Sequence, residues 1–368
     1  MSTKKDKFTF KDHIFMEIAL DLAKARQGLT GPNPSVGCVI VKNDRIISIG
    51  QTSIEGRPHA ETNAITNASD DLKGSTMYVT LEPCNHYGLT PPCTKAIINS
   101  NISKVIYSVI DIDKKVRGKT FQILKLNKIK VQKGLLKEKI SEFYIPYFFN
   151  KRKKIPFVSG KIAVTRNNLI YSKNNRRITN LQSDKFTHFL RYKNDSILIS
   201  YKTLNKDDPK LNCRLKNMSK FSPKRIILDS ELKTNTKSYI FKTANKNNTI
   251  VFYNKATKSK ILEFKKKGIN LVKSQINSSK NFDILTILKK LFKMGCRNIL
   301  IEGGNDLTKS FIYKKLFNQF YLFKSSKKFS KLADYKEFDG FNILDKNFKK
   351  RIRIISNFGN NTVTLYKN

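Results

Sequence analysis

The stretch YVTLEPCNHYGLTPPC, residues 78–93, decides how the first part of this chain folds. It opens with β-branched and aromatic residues that predict a buried strand, and it continues into a Pro-, Gly- and Asn-containing loop that holds Cys84 and Cys93. Upstream, the tetrapeptide PHAE at residues 58–61 contributes His59. One imidazole and two thiolates suit a catalytic zinc site with three protein ligands. We therefore predict that His59, Cys84 and Cys93 bind Zn²⁺.

Three protein ligands leave the fourth tetrahedral position of zinc to water, and this open position indicates a catalytic site. Bound zinc lowers the pKa of such a water to about 7, so a nucleophile is available at neutral pH. Glu61 follows His59 in the same predicted helical turn, and we predict that it carries the proton. Two alternatives remain: a structural zinc site, which needs a fourth ligand such as His86, and two thiols that bind no metal.

Prolines flank the predicted ligands. Pro58 and Pro83 suit the first turns of helices, and Cys93 directly follows two prolines. A thiolate at a helix N-terminus is stabilised by the positive end of the helix dipole. We therefore expect Cys84 and Cys93 to lie at the starts of helices.

Helical and strand-like patterns alternate on both sides of this stretch. In the first part of the chain we predict helices at residues 11–27, 59–68, 92–99 and 120–126, and strands at residues 36–41, 46–50, 77–81, 105–110 and 129–131. The segment FNKRKKIPF, residues 149–157, combines a basic run with a Pro. We predict that it is a linker between a first domain at residues 1–148, which holds the predicted zinc site, and a second domain at residues 158–368.

The second domain continues the alternation. Its predicted strands lie at residues 158–164, 196–200, 225–228, 249–253, 298–301 and 362–366, and its predicted helices lie near residues 181–192, 284–294 and 307–315. The polar residues 205–224 are expected to form a loop, and the chain after residue 324 is weakly patterned before its terminal strand. Strands separated by helices predict an α/β fold with a mostly parallel sheet covered on both faces.

The charge of the chain is extreme. Among its 368 residues, 72 are basic and 28 are acidic, which gives a formal net charge of +44. Because the lysines are scattered through every segment beside abundant Asn and Ile, we interpret them as solvated surface that follows from a biased base composition. A polyanion-binding surface is the alternative. No apolar run is long enough to cross a membrane.

The cysteines argue against a disulfide framework. There are five of them, Cys38, Cys84, Cys93, Cys213 and Cys296, in a chain whose first residues do not resemble a secretory signal. Cys38, Cys213 and Cys296 lie near no other ligand-type residue and are expected to be small core residues. We expect a cytoplasmic protein.

The first half resembles a known enzyme family. Three stretches carry the resemblance, GPNPSVGCVIV at residues 31–41, GRPHAE at residues 56–61 and the stretch at residues 78–93, and they resemble the bifunctional riboflavin-biosynthesis deaminase/reductase family. The eight residues between Cys84 and Cys93 distinguish the chain from nucleic-acid deaminases, whose cysteines are separated by two. The resemblance implies a cytidine-deaminase-like three-layer α/β domain followed by a dihydrofolate-reductase-like α/β domain.

The same resemblance implies the chemistry. The first domain is expected to deaminate 2,5-diamino-6-ribosylamino-4(3H)-pyrimidinone 5′-phosphate with Zn²⁺, and the second to reduce the ribosyl group to ribityl with NADPH. Asn33 and His86 match residues that contact the pyrimidine. Leu89 stands where the family usually has Lys or Arg for the phosphate, and Thr52 stands where it usually has His.

No GxGxxG fingerprint follows a strand in the second domain, where Arg191, Arg214 and an EGG turn at residues 302–304 are the useful signals. The resemblance implies a catalytic role for Lys161. It implies cofactor contacts for Ala163, Arg177, Thr203, Asp207 and Gly304, and substrate contacts for Arg191, Leu211, Arg214 and Glu302. Arg191 and Arg214 are expected to clamp the sugar phosphate, because a guanidinium fork matches phosphate oxygens. The TRNN segment at residues 165–168, Arg177, Ser200 and Lys202 depart from the family pattern.

Two other functions compete with this hypothesis. One is a deaminase whose second domain is vestigial, and the other is a nucleic-acid deaminase or nucleic-acid-binding protein suggested by the net charge of +44. A specific nucleic-acid surface should show clustered basic residues interleaved with aromatic ones, and the sequence shows none. The expected partner is a small phosphorylated pyrimidine, without a specific nucleic acid or a membrane, while self-association into a homo-oligomer stays open.

Overall fold

The computed structural model describes residues 7–172, 177–331 and 334–368. It divides the chain into two units, Met1–Lys154 and Ile155–Asn368, each with its own hydrophobic core. Within the described residues, no helix is both long enough and apolar enough to span a bilayer.

The first unit alternates short helices and strands. In chain order they are α1 Phe10–Arg26, β1 Gly37–Lys42, β2 Arg45–Gln51, α2 Ala60–Thr66, β3 Thr76–Leu81, α3 Cys93–Asn99, β4 Lys104–Val109, α4 Lys119–Leu126, β5 Lys130–Lys133, α5 Lys137–Phe143 and α6 Ile145–Lys153. The five strands form one sheet in the order β2-β1-β3-β4-β5. The predicted strands and the predicted helices α1 to α4 are confirmed to within two residues at most ends, whereas α5 and α6 were not predicted.

The sheet of the first unit is mixed. Strand β1 pairs antiparallel with β2 and β3, whereas β3, β4 and β5 are parallel. The prediction of a mostly parallel sheet is therefore wrong for this unit. The reason is local, because Asn43 and Asp44 both adopt a positive φ, of 50° and 61°, as a two-residue hairpin turn requires.

Two glycines let helices approach the two faces of this sheet. A Cβ on Gly37 would lie 1.8 Å from the Ala19 carbonyl oxygen in α1, and a Cβ on Gly50 would lie 2.1 Å from the Ala60 carbonyl oxygen in α2. Gly37 pairs with Gln51, the neighbour of Gly50, so the two glycines face opposite sides of the sheet. Helices α1 and α2 therefore cover opposite faces, which gives the three layers that the resemblance implied.

This packing makes a stability prediction. Gly37→Ala should destabilise the first unit by about 1–3 kcal/mol, since the added methyl overlaps the backbone of α1. Gly88→Ala is the matched control, because its Cβ would meet nothing closer than Arg57 Nη2 at 3.6 Å. Urea unfolding followed by circular dichroism measures both variants. Equal stability of the two variants would contradict the close approach of α1.

Most of the predicted linker is a helix. Helix α6 continues through Lys153 and strand β6 begins at Phe157, so residues 149–157 do not form an extended linker, although the division between the units falls within them. The helix forms because Tyr144 is buried, with its hydroxyl 2.6 Å from Thr80 Oγ1, and stacks its neighbours against the core. The basic run lies in the last turn of α6, where positive charge favours the helix dipole.

The second unit is built around a large sheet. Its elements are β6 Phe157–Val164, β7 Leu169–Ser172, α7 Leu181–Lys193, β8 Ser196–Ser200, α8 Tyr201–Asp207, β9 Lys224–Leu228, α9 Tyr239–Lys242, β10 Thr249–Tyr253, α10 Lys258–Lys266, β11 Asn270–Lys273, α11 Ile284–Lys293, β12 Asn298–Ile301, α12 Asn305–Tyr313, β13 Gln319–Lys324, β14 Tyr335–Glu337, α13 Phe341–Asn347, β15 Lys350–Arg353 and β16 Thr362–Lys367. The nine strands of the main sheet follow the order β11-β10-β9-β8-β12-β6-β13-β16-β15. All of them are parallel from β11 to β13, and the last two pairs are antiparallel.

The predicted elements of the second unit are present, but the sequence missed several short ones. The expected loop at residues 205–224 starts inside α8, and the chain after residue 324 contains β14, α13 and β15 before the terminal strand. Every residue of β14 and β15 is exposed, so these strands carry no apolar alternation that a sequence pattern could reveal.

The strand order creates a crevice between β8 and β12. These strands are neighbours, yet the chain leaves β8 toward β9 on one side and leaves β12 toward β13 on the other. Ligands of parallel α/β sheets bind at such a switch point, outside the carboxyl ends of the strands. Ser200 and Glu302 stand at these two ends, and helices α8 and α12 begin beside them.

Candidate active sites

The predicted zinc ligands of the first unit lie together. His59 is the residue before α2 and Cys93 is the first residue of α3, and these helices pack against each other. His59 Nδ1 lies 3.3 Å from Cys93 Sγ and 3.5 Å from Cys84 Sγ. All three ligand atoms lie within 4.8 Å of one another, and theirs is the one such group found among the described residues.

The spacing of these atoms fits a tetrahedral metal. Zinc–sulfur and zinc–nitrogen bonds of about 2.3 and 2.0 Å place the two ligand atoms roughly 3.5 Å apart. The observed separations from Nδ1 to the two sulfurs are 3.3 and 3.5 Å. A hydrogen bond from the Cys93 thiol, aided by His59, lowers the pKa of Cys84 to about 4, so this sulfur is a thiolate ready to bind a cation. The donor set and its geometry suit zinc.

One expectation about the ligands is wrong. Cys93 begins a helix as predicted, but Cys84 lies in an irregular loop that runs from residue 82 to residue 92. The buried carboxylate of Glu82 holds the chain there by accepting three backbone N–H bonds, from Asp111, Gly118 and Thr120. Cys84 is therefore positioned by this anchor, and Pro83 does not start a helix.

Glu61 has the environment of an acid–base group. It lies in the first turn of α2, and only 3% of its surface is exposed. Burial raises the pKa of its carboxyl to about 7, although the neighbouring His59 opposes this. A general acid–base residue works best with a pKa near the operating pH. Glu61 can therefore both accept and return a proton beside the metal ligands at neutral pH.

The predicted pyrimidine contacts lie on loops of the same unit. Asn33 Nδ2 donates to the Gly56 carbonyl oxygen at 2.9 Å, which ties the Asn33 turn to the segment before His59. His86 lies in the same loop as Cys84, and its buried Nδ1 has no hydrogen-bond partner among the described residues. An unsatisfied buried nitrogen of this kind is free to meet a polar ligand.

Thr52 and Leu89, the two residues of this unit that depart from the family pattern, differ in their surroundings. Thr52 is buried, and its hydroxyl accepts from the Val36 N–H at 2.9 Å and donates to the Pro34 carbonyl oxygen at 3.2 Å. Leu89 is 89% exposed on the loop between the two cysteines. Thr52 therefore has no group to offer a phosphate, and Leu89 offers no charge.

In the second unit, Arg191 and Glu302 form a buried ion pair. Arg191 Nε and Nη2 each donate to a Glu302 carboxylate oxygen at 2.8 Å, and Nη1 donates to the Asn212 carbonyl oxygen at 3.1 Å. Their side chains are only 10% and 11% exposed. Arg191 therefore already has a carboxylate partner, which the predicted two-arginine clamp did not include.

Arg214 lies near this pair, and so does a residue that the sequence analysis missed. Burial and the nearby charge of Arg191 lower the pKa of Arg214. His188 is 8% exposed, with Nδ1 3.1 Å from the Asn212 carbonyl oxygen and 3.3 Å from the Arg214 backbone nitrogen. Burial and the two arginines lower the pKa of His188 and keep its ring neutral. The sequence feature that could have indicated His188 is its position one helical turn before Arg191.

Lys161 and Ala163 occupy alternate positions of β6 and therefore the same face of the sheet. Lys161 Nζ lies 5.0 Å from the centre of the Phe323 ring. Burial lowers the pKa of Lys161, while the Glu302 carboxylate opposes this effect. The structure thus places a half-buried lysine within electrostatic reach of the Arg191–Glu302 pair.

The crevice between β8 and β12 gathers two predicted cofactor residues. The Gly304 N–H donates to Thr203 Oγ1 at 3.3 Å, which joins the EGG turn to the first turn of α8. Ser200, which departs from the family glycine, caps α8 by accepting from the Thr203 N–H. Asp207 is the exposed last residue of the same helix.

Two other predicted positions contribute differently. Leu211 is 2% exposed and belongs to the core, so only its main chain, held at a φ of +53°, can meet a substrate. Arg177 is exposed, and its Nη2 pairs with Asp184 at 2.6 Å. The structure does not bring Arg177 into contact with Thr203 or Gly304.

Comparison with known proteins finds relatives of both units. The cytidine and deoxycytidylate deaminase zinc-binding region matches residues 10–109, and the RibD C-terminal domain matches residues 169–341. Riboflavin biosynthesis protein RibD of Aquifex aeolicus is 33% identical over 97% of this chain and 98% of its own length. The protein of the same name from Actinobacillus pleuropneumoniae is 33% identical over 87% of this chain and 85% of its own length.

Solved structures give the same result. A Thermotoga maritima diaminohydroxyphosphoribosylaminopyrimidine deaminase/5-amino-6-(5-phosphoribosylamino)uracil reductase is 30% identical, with a TM-score of 0.79 over 97% of this chain and 98% of that one. Acinetobacter baumannii RibD has a TM-score of 0.80 at 26% identity over the same shares. With both family domains matched and near-complete coverage at this identity, the chain belongs to the RibD family of bifunctional riboflavin-biosynthesis deaminase/reductases.

Proposed function

We propose that the first unit deaminates 2,5-diamino-6-ribosylamino-4(3H)-pyrimidinone 5′-phosphate and that the second unit reduces the product's ribosyl group to ribityl with NADPH. The observation that carries this proposal is the cluster of His59, Cys84 and Cys93 beside the buried Glu61. The Thermotoga protein, named for both activities, supports it by its similarity along almost the whole chain.

In the first unit, His59, Cys84 and Cys93 hold the zinc, which when bound supplies a Lewis acid and lowers the pKa of a coordinated water. Glu61 would accept one proton from the attacking water and deliver it to the ring nitrogen, and it would then move the second proton of that water to the amine as the carbon–nitrogen bond breaks. The ring exchanges its amine for oxygen, and ammonia departs. The raised pKa of Glu61 lets one carboxyl perform these transfers near pH 7.

In the second unit, bound NADPH supplies a hydride for reduction of the sugar in its ring-opened imine form. The crevice between β8 and β12 suits its phosphates, because the nine-residue helix α12 begins there and the N-terminus of a helix favours an anion. We assign Arg191, Arg214 and Glu302 to the substrate, and the charge of Glu302 acts on Lys161, for which we propose a catalytic role. The contacts of Ala163, Arg177, Asp207 and Leu211 stay predictions.

The competing functions are less well supported. A nucleic-acid deaminase is not favoured, because the curated relatives match along the reductase domain as well as the zinc site. The intact buried pair of Arg191 and Glu302 favours a working second domain over a vestigial one. A cytoplasmic location and self-association stay predictions.

One anaerobic assay tests both activities. The zinc-loaded protein is incubated with the diaminopyrimidinone ribosyl phosphate while ammonia and NADPH absorbance are followed in one cuvette. Matched ammonia release and NADPH loss are expected. Ammonia without NADPH loss would show a vestigial reductase, and no ammonia at all would overturn the deaminase assignment.

A pair of cysteine substitutions tests the metal site. Cys93→Ala should lose bound zinc and ammonia release, because it removes one of three ligands, yet it should still oxidise NADPH when given the deaminated intermediate. Cys38→Ala is the matched control, since Cys38 is fully buried in β1 and outside the ligand group. Atomic absorption gives the zinc content of both variants. The same zinc content in both would exclude Cys93 as a ligand.

A further inference from the structure

A single guanidinium reaches across the loop that carries the two zinc-binding cysteines. Arg57 lies two residues before His59, and its Nη1 donates to Thr90 Oγ1 at 2.7 Å. Its Nη2 lies 3.6 Å from the position that a Cβ on Gly88 would occupy. The Arg57 side chain therefore rests on residues 88–90, in the loop between the two predicted cysteine ligands.

The backbone around Arg57 is held in place. The Ser53 N–H donates to the Pro58 carbonyl oxygen at 3.1 Å, and Asn33 Nδ2 donates to the Gly56 carbonyl oxygen at 2.9 Å. Gly56 has a φ of +95°, and a Cβ there would lie 2.6 Å from Asn33 Nδ2, so the turn before Arg57 leaves no room for another residue. The guanidinium is thus delivered to residues 88–90 by an ordered segment.

Most of the hydrogen-bonding capacity of Arg57 is unused. A guanidinium has five N–H donors, and the Thr90 hydroxyl is the one acceptor that it meets among the described residues. No described carboxylate lies within ion-pair distance of Arg57, in contrast to Arg191, which is neutralised by Glu302. A positive fork with free donors suits a phosphate.

Neighbouring side chains do not offer an equivalent group. Leu89 is uncharged and 89% exposed, and Thr52 is buried with its hydroxyl bonded to the main chain. Lys95 donates from Nζ to the hydroxyl of Tyr87 at 3.2 Å, and Tyr87 lies two residues before Leu89 in the loop. Arg57 therefore brings to this loop a guanidinium with free donors, and its charge acts on His59.

We propose that Arg57 binds the 5′-phosphate of the deaminase substrate and thereby makes the first unit specific for a phosphorylated pyrimidine. This inference rests on the proposed function, because it requires a phosphorylated substrate at the zinc site. The family resemblance implies a charge at the position of Leu89, and in this chain Arg57 brings a charge to the residues on either side of it.

The test compares two substrates, the phosphorylated pyrimidine and the same compound after removal of its phosphate. Arg57→Ala should raise KM for ammonia release from the phosphorylated substrate by about 10- to 100-fold, the range expected for lost charge-assisted hydrogen bonds, with little change in kcat. Its kcat/KM for the dephosphorylated substrate should stay close to that of the wild type. Competitive inhibition of ammonia release by ribose 5-phosphate should weaken by a similar factor.

Three further variants isolate the role of the charge. Arg45→Ala removes a guanidinium from the start of β2, roughly 20 Å along the strand from the Arg57 segment, and should leave both substrates unaffected. Thr90→Val removes the hydroxyl partner but keeps the charge, so it should raise KM less than Arg57→Ala. Leu89→Arg added to Arg57→Ala should restore part of the affinity for the phosphorylated substrate.

The outcomes separate this inference from the proposed function. An unchanged KM in Arg57→Ala, or equal losses on both substrates, would overturn the phosphate role and assign Arg57 to loop structure alone. Wild-type protein that releases no ammonia from either substrate would instead refute the deaminase function itself. The zinc content of each variant should be measured as well, to check that the metal site is intact in every variant compared.

Discussion

Replacing Glu61 with Gln is expected to lower kcat for ammonia release by about 1,000-fold, within the range that a positioned general acid–base group contributes. The amide keeps the shape of the side chain but cannot accept a proton from water or return one to the leaving amine. Because Glu61 is not one of the three ligand residues, the variant should still bind zinc. Its reductase should also work on the deaminated intermediate, since that site lies in the other unit.

Ammonia release, zinc content and NADPH oxidation should all be measured on the same preparation of Glu61→Gln. Glu55→Gln is the matched control, because Glu55 is an exposed carboxylate on the same connection before α2 and should behave like the wild type. A Glu61→Gln variant that binds zinc and retains more than about a tenth of the wild-type kcat would show that another group moves the proton.

Arg191→Ala is expected to destabilise the second unit by about 3–5 kcal/mol, because it leaves the buried Glu302 carboxylate without its partner. Removing both charges should cost much less. The double variant Arg191→Met with Glu302→Leu fills the space with apolar groups and should recover most of the stability while remaining inactive as a reductase. The pair is thus expected to serve function more than stability.

The stability of the Arg191→Ala variant should also change with pH, because the variant lacks the ion pair. Burial alone would raise the pKa of Glu302, but Arg191 holds it below its ordinary value in the wild type. A lowered pKa makes the pair's contribution to stability present above the unfolded-state pKa and lost as the pH falls through the folded-state pKa. Without Arg191 the raised pKa reverses the sign, so the stability deficit of the variant should grow as the pH rises from 4 toward neutrality.

Calorimetric unfolding of the second unit measures these variants, and ammonia release from the first unit serves as an internal control. Arg177→Ala is the matched substitution, because its pair with Asp184 is exposed, with 55% and 36% of the side chains accessible, and should contribute under about 1 kcal/mol. A stability loss in Arg191→Ala no larger than that in Arg177→Ala would contradict the buried-pair interpretation.

The metal site could be predicted from the sequence because its candidate ligands lie in short local motifs. A His, a Glu and two Cys within PHAE and LEPC-NHYGLTPP-C need only one strand and two short helices to meet, and those elements have clear apolar patterns. The helix start at Cys93 could be predicted for the same reason. The position of Cys84 could not, because Glu82 holds it through backbone groups 29 to 38 residues further along the chain.

The sequence by itself predicted the two-unit α/β plan and the grouping of His59, Cys84 and Cys93, while the reductase residues that follow from family resemblance stay predictions. Tertiary structure alone decided the mixed pairing of β1, the helical end of the first unit, the Arg191–Glu302 pair beside His188, and the contact of Arg57 with Thr90. Residue types and short-range periodicity encode local structure and ligand chemistry. Which side chains meet across 33 residues, as for Arg57 and Thr90, or across 111, as for Arg191 and Glu302, depends on packing that no local pattern records.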